Sequence, residues 1–357
     1  MKIRLNNLLK KKPFSLKKNK KDSIYLKIQK LLHGHHYKYC NEYKKISDHL
    51  FKKPNNKSNL KDMPFLHVNL FKKFDLKTKY FKDIPKTYSS SGSSGRKLSK
   101  ISLDKKTSLL QSMTLKNIFS DLIEGRNSKI LFFENEDILK TERKFTARGA
   151  AVSGFMQLVN HHYFILDKKR KIKINYLKKI LRNHKNENII FFGFTSDVWT
   201  SLIQNSNKNK IKFNKNNSIL IHGGGWKKLE NKNISKKKFD NFVKKKLGVK
   251  KIVNYYGMIE QTGSIYLECS EGYFHCSIFS DILVRSENLE ILPNKVPGII
   301  QSLSIIPLSY PGHNILTEDQ GYILGVDDCK CGKLGKYFLL TNRVKGTEIR
   351  GCSDVYN

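Results

Sequence analysis

A run of Ser and Gly at residues 88–97, YSSSGSSGRK, contains the residue types that bind phosphate groups. Gly lets the backbone approach phosphate oxygens, amide groups and Ser hydroxyls donate hydrogen bonds, and Lys97 or Arg96 supplies positive charge. Such a composition is also typical of a flexible linker. The run follows the extended segment YFKDIPKTY and precedes a predicted helix with Asp104 as its N-cap, and this context favours a phosphate-binding loop. We expect the loop to consist of Ser90, Ser91, Gly92, Ser93, Ser94 and Gly95, together with Lys97.

Two cysteine-containing patterns in the last third of the chain could bind a metal ion. The patterns CSEGYFHC and CKCG supply Cys269, His275, Cys329 and Cys331, which are enough ligands for one tetrahedral, structural Zn²⁺. Cys276 is an alternative to His275, because neighbouring residues on a strand point to opposite faces and only one can face the metal. Buried free cysteines are also common, so core positions without a metal are the other interpretation.

The composition is that of a folded protein rather than of a nucleic-acid binder. The 357 residues are 39% hydrophobic and 11% aromatic, and the formal net charge is +38 at pH 7. The excess is almost entirely Lys and is spread over the whole chain, whereas a nucleic-acid binder concentrates Arg and aromatic residues in one stripe. We therefore attribute the excess to codon bias and do not expect nucleic acid as a partner.

The N-terminal segment MKIRLNNLLKKKPFSLKKNKK is basic but has no apolar stretch of the length that a signal peptide needs. No later stretch approaches the length of a membrane span. We therefore expect a cytoplasmic protein with no membrane span. In that compartment the six cysteines are expected to be ligands, nucleophiles or core residues rather than disulfides.

Five short apolar runs predict β-strands, and helical patterns lie between the first four of them. The runs occupy residues 129–135, 188–194, 218–225, 251–257 and 298–306. Helices are predicted at 105–123, 175–184, 196–205 and 235–247, and one or two more within 23–51. Alternation of strands and helices at this spacing predicts an α/β fold with a mostly parallel sheet. The carboxyl ends of such strands are where ligands bind.

Four further motifs follow the Ser-Gly run in an order that resembles one superfamily. HGGGWKK at 222–228, YGMIE at 256–260, LTEDQGYI at 316–323 and NRVKGTEIRG at 342–351 resemble motifs of the adenylate-forming enzymes, whose [ST]SG[ST]TGxxK loop the Ser-Gly run also resembles. The chain resembles acyl-protein synthetases of the LuxE type most and phenylacetate-CoA ligases second. The segments that carry this resemblance are DMPFLHVNLFK, YYGMIEQTGSIYLEC, GYFHCSIFSDILVR and TNRVKGTEIRGCS. The similarity covers about residues 62–353.

The resemblance implies a role for each motif. The residues that would contact the adenine and the acyl pocket are Gly223, Gly224, Gly225, Tyr256 and Gly257. The residues that would hold the leaving pyrophosphate are Ser91, Ser93, Ser94 and Lys97. Glu260 would bind Mg²⁺, and Asp319 and Arg343 would fix the ribose of ATP.

The resemblance also implies an acyl-carrying residue. Acyl-protein synthetases carry the acyl group on a Cys near their C-terminus, and the segment EIRGCSDVYN places Cys352 there, with Arg350 close enough to favour its thiolate. Other members of the superfamily continue into a C-terminal subdomain with a catalytic Lys, which we expect to be absent or vestigial here. The candidates to replace that cation are Lys227, Lys228, Lys345 and Arg350.

These features together predict an adenylate-forming α/β core at 81–341, after a helical segment and connector at 1–80 and before a hinge-like tail at 342–357. The implied reaction is activation of a carboxylic acid, expected to be a fatty acid, as acyl-AMP with ATP and Mg²⁺. The acyl group would pass to Cys352 and then to a reductase, an acyltransferase or a carrier protein. The alternatives are an acyl-CoA or acyl-carrier-protein ligase, and a basic binding protein whose core does not catalyse.

Overall fold

A computed structural model describes residues 2–51, 58–79, 86–90, 97–120, 122–123, 128–140, 145–205, 218–226 and 234–345. These residues form two compact units. We call them the antiparallel unit, whose described residues lie within 2–118 and 257–345, and the parallel unit, whose described residues lie within 119–256. The functional division predicted at residues 80 and 341 uses other boundaries and stays a prediction.

The helices, in chain order, are α1 (Lys2–Leu9), α2 (Lys18–Tyr39), α3 (Asn41–Leu50), α4 (Leu70–Lys73), α5 (Lys105–Ile118), α6 (Ala147–Met156), α7 (Ile174–Asn183), α8 (Thr195–Gln204) and α9 (Lys236–Leu247). The strands are β1 (Leu66–His67), β2 (Lys86–Ser89), β3 (Lys100–Leu103), β4 (Lys129–Phe132), β5 (His161–Phe164), β6 (Ile189–Phe194), β7 (Ser218–Gly223), β8 (Lys251–Tyr256), β9 (Tyr266–Glu268), β10 (Phe274–His275), β11 (Ser280–Arg285), β12 (Gly298–Ser304), β13 (Asn314–Val326) and β14 (Lys336–Arg343). Among the described residues, no helix combines the length and the apolar character that crossing a bilayer requires.

Parallel strands in the order β5, β4, β6, β7, β8 form the sheet of the parallel unit. Four of the predicted apolar runs are strands β4, β6, β7 and β8, and the predicted helices between them are α7, α8 and α9. Every residue of β6 is buried, as expected for a strand covered on both faces. Apolar side chains of the helices, including Leu177, Val198 and Val243, pack with Leu131 and Phe191 of the strands.

The sequence did not predict β5 or α6, which both belong to the parallel unit. The strand β5 has the sequence HHYF, in which the two His residues hide the apolar pattern. The helix α6, ARGAAVSGFM, contains two Gly residues, and Gly is a weak helix former. Its N-terminus is fixed by the Thr146 hydroxyl oxygen, which accepts a hydrogen bond from the Gly149 amide at 3.1 Å.

The main sheet of the antiparallel unit has the strand order β11, β12, β13, β14, β10, β9, and all of these pairs are antiparallel. The short strand β1 pairs with β13 in parallel, and β2 and β3 form a separate hairpin. The predicted strand at 298–306 is β12, but it lies in this antiparallel sheet. The helices predicted within 23–51 are α2 and α3, and the one predicted at 105–123 is α5.

Helix α2 is anchored to this sheet by a buried ion triad, which consists of Lys21, Asp281 and Lys336. The Lys21 ammonium donates to the Ser280 carbonyl at 2.7 Å and lies 3.7 Å from the Asp281 carboxylate. The Lys336 ammonium lies 3.1 Å from the other carboxylate oxygen. Removing one member would leave buried charge uncompensated, which costs about 3–5 kcal/mol for buried pairs in general. The triad therefore fixes where α2 lies on β11 and β14.

Two buried histidines join α2 to the loop before β13. The ring of His36 stacks on that of His313 with 5.0 Å between centroids, and its Nδ1 lies 2.7 Å from the Thr78 hydroxyl. The Tyr43 hydroxyl lies 3.4 Å from His313 Nε2. Burial lowers the pKa of His36 well below its usual value, and it lowers the pKa of His313 to about 3. Both rings are therefore neutral in the folded protein at neutral pH.

We predict that acid destabilises the protein through these two histidines. The unfolded chain binds protons at the usual histidine pKa of 6.5, whereas the folded rings do not, so stability falls as the pH drops below that value. At pH 5.5 each histidine should cost about 1 kcal/mol relative to pH 7.5. Urea unfolding at the two pH values measures the loss, which should be smaller by about 1 kcal/mol in His313→Gln than in wild type. The exposed His161→Gln serves as the control, and an equal loss in His313→Gln and wild type would contradict the assignment.

Candidate functional site

The Ser-Gly run joins two paired strands of the antiparallel unit. Strands β2 and β3 pair from Lys86 with Leu103 to Ser89 with Lys100. The Ser90 amide donates to the Ser99 carbonyl at 2.9 Å, and the Ser90 hydroxyl accepts from the Ser99 amide at 3.0 Å. The run is therefore a hairpin connection and not a linker between the two units. Lys97 is exposed, and Ser91, Gly92, Ser93, Ser94 and Gly95 lie outside the described residues.

Helix α5 follows the hairpin and connects it structurally to the segment around Glu260. Asp104 is its N-cap, as predicted, because the Asp104 carboxylate accepts from the Thr107 amide at 2.8 Å. Gly263 has a φ of +87°, and a Cβ there would lie only 2.8 Å from Cα of Gln111 in α5. The turn after Glu260 therefore packs directly on the helix that begins after the Ser-Gly hairpin.

Glu260 lies in a single 3-10 turn, Ile259–Gln261, and is 2% exposed. The turn is held by Gln261, whose amide nitrogen donates to the carbonyls of Ser302 at 3.0 Å and Gly312 at 2.9 Å. Tyr310 is fully buried near Glu260, and burial together with the Glu260 charge raises the pKa of its hydroxyl. A carboxylate fixed in this way is of the type that binds a hard divalent cation.

Asp319 and Arg343 lie directly opposite each other on β13 and β14. The Arg343 Nε atom lies 3.4 Å from the Asp319 carboxylate, and Asp319 is 4% exposed. A β-bulge disturbs the register here, because Gln301 pairs with Leu316 but Ile299 pairs with Gln320. Thr317 fixes the bulge, since its hydroxyl donates to the Ile300 carbonyl at 2.8 Å and accepts from the Asp319 amide at 3.1 Å. The two residues predicted to bind ribose are therefore brought together.

Two further residues contact this pair and were missed by the sequence analysis. Glu318 is 5% exposed, and its carboxylate accepts a hydrogen bond from Arg343 Nη2 at 3.0 Å. Its other carboxylate oxygen accepts a hydrogen bond from the side-chain amide of Asn69. Glu318 could have been noticed as the neighbour of Asp319 in LTEDQGYI, but no sequence signal pointed to Asn69.

The Gly-rich motif ends strand β7 in the parallel unit. A Cβ at Gly223 would lie 2.6 Å from the Tyr255 carbonyl oxygen of β8, so this close approach requires Gly. Gly224 and Gly225 have φ angles of 85° and 73°, in the left-handed region that favours Gly. The motif is thus a backbone turn at the carboxyl end of a parallel strand, where ligands bind in such sheets.

Tyr256 is the last residue of β8 and is fully buried. The unit boundary falls between Tyr256 and Gly257, so the YGMIE motif is shared by the two units. Of the cations proposed to replace a catalytic Lys, Lys345 is described and is exposed. Lys227, Lys228, Arg350 and the predicted acyl carrier Cys352 lie outside the described residues.

Cys269, His275, Cys329 and Cys331 form a cluster in the antiparallel unit. Their ligand atoms all lie within 4.8 Å of one another, and Cys331 Sγ lies 3.3 Å from His275 Nε2. Cys269 follows β9, His275 ends β10, and the two remaining Cys lie in the turn between β13 and β14. Three sulfur ligands and one imidazole nitrogen fit a closed tetrahedral zinc site. His275 rather than the alternative Cys276 belongs to the cluster.

The surroundings of the cluster keep the His275 ring neutral and oriented. The Tyr337 ring stacks on it with 5.5 Å between centroids and 17° between planes. Burial, with smaller contributions from the charges of Lys333 and Lys21, lowers the pKa of His275 to about 4. Burial raises the pKa of the Cys329 thiol to about 12. A neutral imidazole is the form that binds a metal, and a metal ion would reverse the thiol shift by stabilising the thiolate.

A family profile described as acyl-protein synthetase, LuxE, matches residues 4–357. A search of curated proteins found no significant match. Among solved structures, 2-hydroxyisobutyryl-CoA ligase in complex with 2-HIB-AMP and CoA has a TM-score of 0.70 at 11% identity, over 97% of this chain and 69% of that chain. An open conformation of that ligase has a TM-score of 0.70 at 13% identity, over 95% of this chain and 79% of that chain.

A luciferase-like enzyme from the nonluminescent Zophobas morio mealworm has a TM-score of 0.50 at 15% identity, over 76% of this chain and 61% of that chain. At these identities the solved structures establish the fold alone. They confirm the predicted fold class, an α/β fold that these enzymes share. The profile match confirms the resemblance that the ordered motifs indicated.

Proposed function

The chain belongs to the LuxE acyl-protein synthetase family, and on that premise we propose that it activates a fatty acid as acyl-AMP and transfers the acyl group to its own Cys352. Membership of the family makes the chain a ligase that forms an acyl adenylate and a thioester. The identity of the acid and the Cys352 acceptor are our proposals. The observation that best supports ATP as the co-substrate is the pairing of buried Asp319 with the partly buried Arg343, 3.4 Å apart at a β-bulge.

The proposed reaction has two steps. In the first, a carboxylate oxygen of the acid attacks the α-phosphorus of ATP, which forms the mixed anhydride acyl-AMP and releases pyrophosphate. In the second, the Cys352 thiolate attacks the acyl carbonyl carbon, forms a thioester and releases AMP. The acid must be activated first because a carboxylate is a poor electrophile at neutral pH.

We assign the residues of the antiparallel unit to the charged parts of ATP. The Ser-Gly hairpin with Lys97 would hold the pyrophosphate, and Asp319 with Arg343 would bind the ribose hydroxyls. Glu260 would bind Mg²⁺, which neutralises phosphate charge when it is present. The family resemblance assigns Gly223 to Gly225 and Tyr256 to the adenine and the acyl group. The burial of Glu260 and Asp319, at 2% and 4% exposed, supports these roles, because fixed buried carboxylates bind without reorganising.

We further propose that the Cys269–His275–Cys329–Cys331 cluster binds one structural Zn²⁺. The support is the spacing of its ligand atoms, all within 4.8 Å. A four-ligand site leaves no open position for substrate, so the metal would act on folding rather than on the reaction. The thioester on Cys352 would serve a reductase, an acyltransferase or a carrier protein in a cytoplasmic pathway.

Replacing Glu260 with Gln should lower the rate of acyl-AMP formation at least about tenfold, because the amide removes one charge that stabilises the transition state. The measurement is ATP–pyrophosphate exchange across short, aromatic and long-chain acids, with titrated Mg²⁺. The exposed acid Glu287 provides the matched control as Glu287→Gln. Full activity in Glu260→Gln would show that Glu260 does not bind the magnesium ion.

Self-acylation should be visible in the intact mass of the protein after incubation with ATP, Mg²⁺ and a turned-over acid. Wild-type protein should gain one acyl group that neutral hydroxylamine removes. Cys352→Ser should still form acyl-AMP but gain no acyl group, while Ser353→Ala should be acylated like wild type. Equal labelling of Cys352→Ser would exclude Cys352 as the carrier. Acylation of coenzyme A with no labelled protein would replace the proposal with the ligase alternative.

Protein purified without added zinc should contain about one zinc ion per chain. Cys331→Ser should lose the metal, and its melting temperature should fall by at least about 5 °C, because a structural metal contributes its binding energy to folding. Acyl-AMP formation below that temperature should change much less. Elemental analysis and thermal melting measure these effects, with Cys276→Ala as the control that keeps zinc. A zinc content near zero in wild type would show that the four residues are core residues that bind no metal.

A further inference from the structure

The three guanidinium nitrogens of Arg343 differ in their contacts. These differences identify residues outside the proposed ribose site that hold Arg343 in position. Nε and Nη2 lie against the carboxylates of Asp319 and Glu318, at 3.4 Å and 3.0 Å. Nε and Nη1 are both buried, and neither has a hydrogen-bond partner within the described residues, although Nε is in ion-pair contact with Asp319. One edge of the guanidinium is thus held by protein carboxylates, and the remaining nitrogen is left for another acceptor.

The β-bulge explains how two adjacent carboxylates reach one guanidinium. In a regular strand Glu318 and Asp319 would point to opposite faces of the sheet. Between the pairs Gln301 with Leu316 and Ile299 with Gln320, β13 advances by more residues than β12. Bulges of this kind change the direction in which side chains point, and they are frequent beside functional sites.

Asn69 holds Glu318 from the side opposite to Arg343. Strand β1 runs parallel to β13, with Leu66 beside Ile315 and His67 beside Leu316, so the residue that follows by two positions reaches Glu318. Asn69 precedes helix α4, but its side chain makes no capping hydrogen bond there. Its amide instead donates to the Glu318 carboxylate. Each oxygen of Glu318 thus has one fixed donor.

We propose that Glu318 and Asn69 are positioning residues for the nucleotide sugar. Asn69 fixes Glu318, Glu318 fixes Arg343 through a charge-assisted hydrogen bond, and Arg343 is thereby held with Nη1 toward the ribose hydroxyls that Asp319 accepts from. Without Glu318 the guanidinium can swing onto Asp319 alone and occupy the carboxylate that the sugar needs. This inference rests on the proposed function and adds residues to its ribose site.

The test is Glu318→Gln, which keeps the size of the side chain but removes its charge and leaves one acceptor oxygen where Arg343 and Asn69 both donate. With the acid that supports wild-type turnover, kcat/KM for ATP should fall about tenfold, mainly through KM, as expected for the loss of one charge-assisted hydrogen bond. The preference for ATP over 2′-deoxy-ATP and 3′-deoxy-ATP should fall toward unity, which a purely structural role would not produce. Asn69→Ala should show the same change at about threefold.

The control is Asp75→Asn, an acid-to-amide change in an exposed pair with Lys77 in the same unit. Calorimetric titration of ATP measures binding independently of turnover. If wild type binds ATP but Glu318→Gln binds it equally well and keeps the same preference over the deoxy analogues, the inference is wrong and the proposed function stands. If wild type neither binds nor uses ATP, the proposed function and the inference are both wrong. If both variants unfold while Asp75→Asn is folded, Glu318 and Asn69 are structural and the inference is overturned.

Discussion

The pairing of β13 with β14 is the constraint on which both candidate sites of the antiparallel unit depend. At the open end of this hairpin, the register sets Asp319 opposite Arg343. At the closed end, the connecting turn carries Cys329 and Cys331 beside His275. Side chains along a strand alternate between two faces, so a slip of one residue would send Arg343 to the face opposite Asp319. The Asp319–Arg343 pair and the cysteine cluster therefore require one and the same register.

Buried polar contacts fix the neighbouring strands β9, β11 and β12 in the same unit. The Tyr266 hydroxyl donates to the Asp281 carbonyl at 3.0 Å and lies 2.6 Å from the Ser302 hydroxyl. Ser302 in turn donates to the Gln261 side chain, which also bonds the Gly312 carbonyl. A shifted sheet would leave these groups buried without partners, which costs more than an apolar mismatch. The same contacts hold the turn that carries Glu260, so specificity of the fold and geometry of the site have one physical origin.

The sequence predicted the parallel unit better than the antiparallel one. Strands covered on both faces are continuous apolar runs, such as IIFFGF in β6, and these are visible in a sequence. Strands β9, β10, β13 and β14 contain buried polar residues, among them Glu268, His275, Glu318 and Asp319, and so lack that signal. Their pairing is also set by residues far away in the chain. The order of the motifs identified the family, but the contact of Asn69 with Glu318 follows from the parallel register of β1, which no local pattern encodes.

The hairpin also gives the cysteine cluster an indirect route to the chemistry. A closed four-ligand site cannot bind substrate, and the cluster lies at the opposite end of β14 from Arg343. What it can do is tie the β13–β14 turn to the ends of β9 and β10 and so prevent the two long strands from sliding. At the other end, the strands are held by the ion pairs of Arg343 with Glu318 and Asp319 and by the Thr317 contacts within the bulge. We therefore expect metal binding at the cluster to stabilise the β13–β14 pairing, and so the fold, more than it changes the chemistry of the folded protein.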